Sequence, residues 1–138
     1  MSLMIFYNPE MIDLLLDTNI VIYLLQRQEK YIRFSDSMEN KDFGISVISY
    51  MEVLVGASEE DQMLDAYKFL NTVEVVPLDT LLAERCADIL RQSDKKSLRN
   101  PRFSDTVIGQ TALSLGVPLV TNNPKDFAGF RGLKVIVP

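Results

Sequence analysis

The chain has 138 residues, of which 47% are apolar and 24% charged, a composition typical of one globular domain. A single cysteine and no histidine exclude an internal disulfide, a zinc site, and hydrolysis by serine–histidine or cysteine–histidine pairs. The net charge of −5 argues against broad electrostatic adhesion to nucleic acid, although it permits a local basic track.

Neither a membrane span nor a signal peptide is predicted. The longest uninterrupted apolar run, Ile20 to Leu25, is far shorter than the roughly 20 residues that cross a bilayer. The N-terminus has no basic segment ahead of an apolar core. We therefore expect a cytoplasmic protein that folds as a single domain over residues 1–138.

Apolar runs alternate with amphipathic stretches along the chain, which predicts alternating strands and helices. In chain order, the pattern predicts a strand at Ile12–Leu16, a helix through Ile20–Leu25, a strand at Phe43–Val47, helices through Val53–Val55 and Glu59–Leu70, a strand at Val73–Val76, helices over Asp79–Arg91 and Ser104–Leu115, and strands at Val117–Val120 and Val135–Val137. This alternation predicts an α/β sandwich in which helices cover both faces of a parallel sheet.

Three local patterns have a structural interpretation. Ser49 and Glu52 match a capping box, which predicts that Ser49 begins a helix. Cys86 falls on the apolar face of its helix and is expected in the core. The Glu59–Leu70 helix is expected to bury one face, formed by Met63, Leu64, Tyr67 and Leu70.

Four carboxylates are expected near the carboxyl edge of the sheet, where ligands bind in such folds. Asp17 follows the first strand, Glu52 follows the second, Asp105 opens the helix before the fourth, and Asp126 follows the fourth. Clustered carboxylates repel one another unless a cation is present. Oxygen-only ligands favour Mg²⁺ or Mn²⁺.

Each of these acids also has a purely structural interpretation. Asp17 is a residue type that caps helices, and Glu52 completes the predicted capping box. Asp105 favours the helix dipole whether or not it binds a metal. Asp126 lies in an Asn-Pro-Lys-Asp sequence typical of turns. The sequence leaves both interpretations open for each residue.

A polar segment from Gln92 to Phe103 carries the positive counterpart of the acids. Its cations, which we call the basic loop, are Lys95, Lys96, Arg99 and Arg102. They either form a solvated helix end or hold flanking phosphates of a phosphodiester substrate while metal ions engage the scissile one. Their position just before Asp105 favours phosphate binding.

Taken together, four segments resemble a PIN domain, and more narrowly the small VapC-type toxins of prokaryotic toxin–antitoxin pairs. They are Asp17-Thr18-Asn19 after a strand, Ser46 through Glu52, Asp105 at a helix start, and Thr121 through Phe127. The resemblance covers nearly the whole chain. It implies a three-layer α/β/α sandwich with a five-stranded parallel sheet of order 3-2-1-4-5.

The resemblance also implies a Mg²⁺- or Mn²⁺-dependent endoribonuclease in which Asp17, Glu52 and Asp105 bind the metal. The fourth acid passes to Asp126, because many PIN domains carry an acid where this chain has Asn123. The side chains expected to orient ligands or water are Thr18, Asn19, Thr121 and Asn122. The implied partners are an RNA substrate, a cognate antitoxin whose tail enters the acidic groove, and a second copy of the chain in a homodimer.

Two alternatives come from other functional classes. A receiver-like signalling domain would bind magnesium and accept a phosphoryl group, but the paired acids expected after its first strand are absent from this sequence. The other alternative is a PIN-like module that binds RNA without cleaving it.

Overall fold

Five short strands alternate with helices in the computed structural model, which describes residues 12–92 and 102–138. The strands are β1 (Leu14–Leu16), β2 (Phe43–Ser46), β3 (Glu74–Val76), β4 (Leu119–Val120) and β5 (Val135–Ile136). The helices are α1 (Thr18–Leu25), α2 (Glu29–Ser37), α3 (Val47–Gly56), α4 (Glu60–Leu70), α5 (Thr80–Gln92) and α6 (Arg102–Leu115), and a 3₁₀ helix spans Pro124–Phe127.

All neighbouring strands pair in parallel, in the order β3-β2-β1-β4-β5. The predicted five-stranded sheet of order 3-2-1-4-5 is therefore confirmed. The central strand β1 is buried on both faces, as expected for a continuous apolar run in a parallel sheet. Its carboxyl end, with those of its neighbours β2 and β4, forms the edge at which ligands bind in such folds.

The two faces of the sheet bury separate apolar clusters. Leu14 and Leu16 pack with residues of α1, α2, α3 and α4 on one face. Leu15 packs with residues of α6 and the 3₁₀ helix on the other. Because successive residues of a strand point to opposite faces, one short strand anchors both helical layers. Helices therefore cover both sides of the sheet, which completes the predicted α/β/α sandwich.

Side-chain caps set the starts of the two helices that follow β1 and β2. Asp17 caps α1, and its carboxylate accepts a hydrogen bond from the N–H of Thr18. Ser46 caps α3, and its hydroxyl accepts from the N–H of Ile48. Each strand thus turns directly into a helix, which holds the first turns of α1 and α3 beside the carboxyl edge of the sheet.

The predicted capping box at Ser49 is wrong, because Ser46 is the cap and Val47 is the first helical residue. The β-branched side chain of Val47 favoured a strand at this position. The hydroxyl of Ser46, however, accepts a hydrogen bond from the N–H of Ile48 in the first turn, so the helix begins at Val47. Glu52 consequently lies in the second turn of α3. Ser49 lies within the helix and is fully buried.

Two other details of the helices differ from the prediction. The sequence pattern did not indicate α2, whose residues are mostly polar and of which only Tyr31 is buried. In α4 the buried residues are Ala66 and Leu70, whereas Met63, Leu64 and Tyr67 are exposed. Cys86 is buried in the core as expected. None of the described helices is long and apolar enough to cross a membrane.

Candidate active site

A cavity of about 560 Å³ opens at the carboxyl edge of the sheet, and all four candidate carboxylates line it. Asp17 directly follows β1, Glu52 lies on α3, Asp105 lies in the first turn of α6, and Asp126 lies in the 3₁₀ helix after β4. We call this space the acidic cavity; its other lining residues are Thr18, Asn19, Ile22, Met51, Val55, Gly56, Ser104, Ile108 and Asn123.

Asp17 is 6% exposed and is the most buried of the four carboxylates. Its Oδ1 accepts from the N–H of Thr18 at 2.8 Å, and its Oδ2 accepts from the hydroxyl of Thr121 at 2.7 Å. Burial raises the pKa of Asp17, the two hydrogen bonds lower it, and the charges of Glu52 and Asp126 raise it further. Each oxygen keeps a second lone pair, so capping α1 does not exclude a ligand role.

Glu52 is held by hydroxyl groups on both of its oxygens. Thr18 Oγ1 donates to Oε1 at 2.7 Å, and Ser104 Oγ donates to Oε2 at 3.1 Å. The Oγ of Ser49 lies 2.8 Å from Oγ1 of Thr18. Because Thr18 has one hydroxyl proton and gives it to Glu52, Ser49 must be the donor in this contact. Neutral hydroxyls therefore orient Glu52, and these contacts leave its negative charge uncompensated.

Thr121 holds Asp17 in a similar way. Its hydroxyl donates to Asp17 and accepts from the N–H of Asn123 at 3.0 Å. Thr121 is fully buried at the end of β4, so this short chain of hydrogen bonds has little access to water. Through Thr121, these hydrogen bonds link Asp17, at the end of β1, to Asn123 in the turn before Asp126.

The side-chain oxygens of the acidic cavity that could bind a metal ion belong to carboxylates, hydroxyls and amides. These are the hard ligands that Mg²⁺ and Mn²⁺ prefer. Mutual repulsion of the acids also favours a cation, as the effect of Glu52 and Asp126 on Asp17 shows. Within residues 12–92 and 102–138, however, no three acidic side chains form a ready-made metal-binding group. The residues therefore fit a divalent ion by their chemistry, and binding would require the carboxylates to reorient toward it.

Comparison with known proteins assigns the chain to a family, because a model of the PIN domain matches residues 14–132. The chain belongs to the PIN domain family. It is 30% identical over 135 residues to Ribonuclease VapC1 of Haemophilus influenzae strain R2866, with 87% of this chain and 93% of that protein covered.

Two further comparisons agree with the PIN assignment. The chain is 26% identical over 129 residues to the tRNA(fMet)-specific endonuclease VapC of Salmonella typhimurium strain LT2, covering 91% of this chain and 97% of that protein. It also matches a solved toxin-antitoxin complex from Klebsiella pneumoniae with a TM-score of 0.70 and 29% identity, covering 90% of this chain and 96% of the matched chain. The resemblance to VapC-type PIN domains stated from the motifs is confirmed.

Of the four residues of this PIN domain predicted to orient ligands or water, three lie at the acidic cavity or contact one of its carboxylates. Thr18 and Asn19 line the acidic cavity, and Thr121 contacts Asp17. Asn122 does not line the cavity, because its side-chain amide donates to the hydroxyl of Tyr31 in α2. This contact links the end of β4 to α2, and a role of Asn122 in orienting ligands or water stays a prediction.

The basic loop lies largely outside the described residues. Lys95, Lys96 and Arg99 fall in the gap between residues 92 and 102, and the backbone of Arg102 begins α6. The proposed phosphate contacts of the basic loop therefore stay a prediction.

Sequence reasoning missed two hydroxyls that orient Glu52. Ser104, which immediately precedes Asp105, donates to Glu52 directly. Ser49 lies three residues before Glu52, so Ser49 and Glu52 are on the same side of α3, and Ser49 contacts Thr18. With the helix start placed at Ser46, this spacing would have indicated that Ser49 is available to the site.

Proposed function

We propose that this PIN domain is a Mg²⁺- or Mn²⁺-dependent endoribonuclease that hydrolyses RNA phosphodiester bonds at the acidic cavity. The observation that carries the proposal is the convergence of Asp17, Glu52, Asp105 and Asp126, from four separate elements, on one cavity. Relatives that align over most of the chain are named as ribonucleases, which supports RNA as the substrate.

Each carboxylate has a definite place in this proposal. Asp17, Glu52 and Asp105 would hold one or two divalent ions, and Asp126 would complete the site from the 3₁₀ helix. A bound divalent ion supplies positive charge to phosphate oxygens and activates water, which a chain without histidine cannot do with an imidazole. The hydroxyls of Thr18 and Ser104 would hold Glu52 in its orientation, as Thr121 would hold Asp17.

The basic loop would bind RNA phosphates on either side of the cleaved bond. Its residues fall between the end of α5 and the start of α6 at Arg102 and precede Asp105 in sequence, so substrate contacts and metal ligands would be neighbours along the chain. This arrangement allows a protein of net charge −5 to bind RNA through one local cationic segment.

We also propose that the protein is the toxin of a toxin–antitoxin pair in the cytoplasm and forms a homodimer. The match to a solved toxin-antitoxin complex supports an antitoxin partner. Met63, Leu64 and Tyr67 supply an exposed apolar surface on α4, which is typical of a protein–protein contact. Leu64→Glu should weaken self-association or antitoxin binding in sedimentation and titration measurements, and unchanged association would remove α4 from both interfaces.

Cleavage of a labelled single-stranded RNA tests the enzymatic proposal. We expect cleavage with Mg²⁺ or Mn²⁺, none in excess EDTA, and little with Asp17→Asn or Asp105→Asn. Asp36→Asn is the matched control, because it removes an exposed carboxylate from α2 with the same change of charge. Equal cleavage in EDTA, or full activity of both cavity variants, would contradict the proposed mechanism.

A further inference from the structure

A second cavity, of about 330 Å³, adjoins the acidic cavity and shares Asp105 and Asp126 with it. These two residues line both spaces, so they form a shared wall between them. A substrate chain whose phosphate lies in the acidic cavity and that continues past this wall meets the second cavity next. The proposed function does not use this space.

Part of the lining of the second cavity is apolar. Ile89 and Leu90, from the last turns of α5, line it together with Phe130, which follows the 3₁₀ helix. Apolar and aromatic walls with a few polar groups at the rim are typical of sites for small ring-shaped ligands, and the volume lies near the lower end of the usual range of about 300–1,000 Å³. The acidic wall disfavours a phosphate inside the cavity but does not repel an uncharged base.

The ring of Phe130 is held in place by its neighbours. A Cβ on Gly109 would lie 2.8 Å from Cε2 and Cζ of Phe130, so the absence of a side chain there lets the ring rest against the backbone of α6. Phe127 packs on it with ring centroids 6.1 Å apart. A ring constrained in this way is a preorganised surface for stacking.

Lys125 provides a cation at the rim of the same cavity. It is exposed, lies in the 3₁₀ helix next to Asp126, and lines the cavity together with residues of α5. A lysine beside an apolar pocket meets the requirements of single-stranded RNA, in which an unstacked base lies against an aromatic ring and its phosphate meets a cation.

We propose that the second cavity is a subsite for one nucleobase of the RNA, adjacent to the cleaved bond, with the base on Phe130 and a neighbouring phosphate at Lys125. This inference rests on the proposed ribonuclease function and extends it, because it assigns the choice of cleavage site partly to a base-binding pocket. Phe130 and Lys125 are binding residues here, so their effect falls on KM.

The test measures cleavage kinetics for Phe130→Leu and Lys125→Gln on one short RNA of known cut site. We expect Phe130→Leu to raise KM about 5- to 100-fold, the loss of one base–aromatic stack. Lys125→Gln changes an exposed residue and should raise KM in a salt-dependent manner without affecting folding. Phe34→Leu is the matched control, since it makes the same change in a partly buried aromatic ring of α2 that lines neither cavity.

Abasic substrates identify the base. With the wild-type protein, one abasic position beside the cut site should raise KM about as much as Phe130→Leu does. For the substrate that is abasic at that position, Phe130→Leu should raise KM no further. Unchanged KM in both variants, or an effect of Phe130→Leu that adds equally at every abasic position, would overturn the proposal. If the wild-type protein cleaves no RNA, the proposed function fails, and the same comparison made on RNA dissociation constants still decides whether the cavity binds a base.

Discussion

Replacing Thr121 with valine removes one oxygen atom from the buried contact behind Asp17 of the acidic cavity while nearly preserving the shape of the side chain. That oxygen donates to Oδ2 of Asp17 at 2.7 Å and accepts from the N–H of Asn123 at 3.0 Å. Thr121 is fully buried, so water cannot readily replace it. The substitution therefore leaves a buried carboxylate with one donor fewer and a backbone N–H without its acceptor.

The expected cost follows from these two hydrogen bonds. A hydrogen bond to a charged group contributes about 1.5–3 kcal/mol and a neutral one about 0.5–1.5 kcal/mol, so the free energy of unfolding should fall by about 2–4 kcal/mol. At about 4 °C per kcal/mol for a domain of this size, the melting temperature should fall by roughly 8–16 °C. Removal of the donor should also raise the pKa of Asp17 further.

The pH dependence distinguishes this mechanism from simple loss of packing. A higher native pKa makes the folded protein bind the proton more tightly, so the cost of Thr121→Val should grow as pH rises through that pKa and shrink below it. Thermal melts in EDTA across a pH series measure this, with Thr121→Ser as the control that keeps the hydroxyl. Equal destabilisation by valine and serine, or a cost independent of pH, would refute the reasoning.

Three further predictions test other parts of the site. Because the native pKa of Asp17 is raised above its ordinary value of 3.8, the stability of the metal-free protein should fall as pH rises through the native pKa, and Asp17→Asn should flatten that slope in pH-dependent melts. Alanine at two positions of the basic loop should reduce the slope of log affinity for single-stranded RNA against log salt by about 0.7 for each lost phosphate contact; an unchanged slope would assign these residues to solvent. Ser46→Ala should lower the free energy of unfolding by about 1 kcal/mol through loss of the α3 cap, with Ser46→Thr, which keeps a capping hydroxyl, as the control.

The sequence pattern predicted a parallel α/β sandwich and the place of the acids because both depend on strong, local signals, whereas the strand order came from the resemblance to PIN domains. A buried strand directly followed by Asp17 places this residue at the carboxyl edge of a parallel sheet, and the same holds for β2 and the helix that carries Glu52. Apolar runs and capping residues indicate where strands and helices begin and end, because these elements depend mainly on interactions between residues close in sequence. The fold class was therefore predictable from these signals, but exact element boundaries were not, as the start of α3 at Val47 shows.

Features that depend on contacts between distant segments were not predictable in this way. The helix α2 has one buried residue, Tyr31, and its polar sequence gives a weak periodic signal. Asn122 has the residue type of a site residue, but its orientation is set by the hydroxyl of Tyr31, far away in sequence. Likewise, only the packed structure shows that Ser49 donates toward Thr18 and Glu52.

The hydrogen bond between Thr121 and Asp17 joins residues 104 positions apart. A growing chain on the ribosome therefore contains Asp17 and Glu52 long before it contains the residue that orients Asp17. Domains fold as units during synthesis, and β4 must pair with β1 before Thr121 reaches its partner. The proposed active site, which also needs Asp126, cannot be complete until this last part of the chain has been synthesised and has emerged. Any nuclease activity of the proposed site would therefore arise only late in translation.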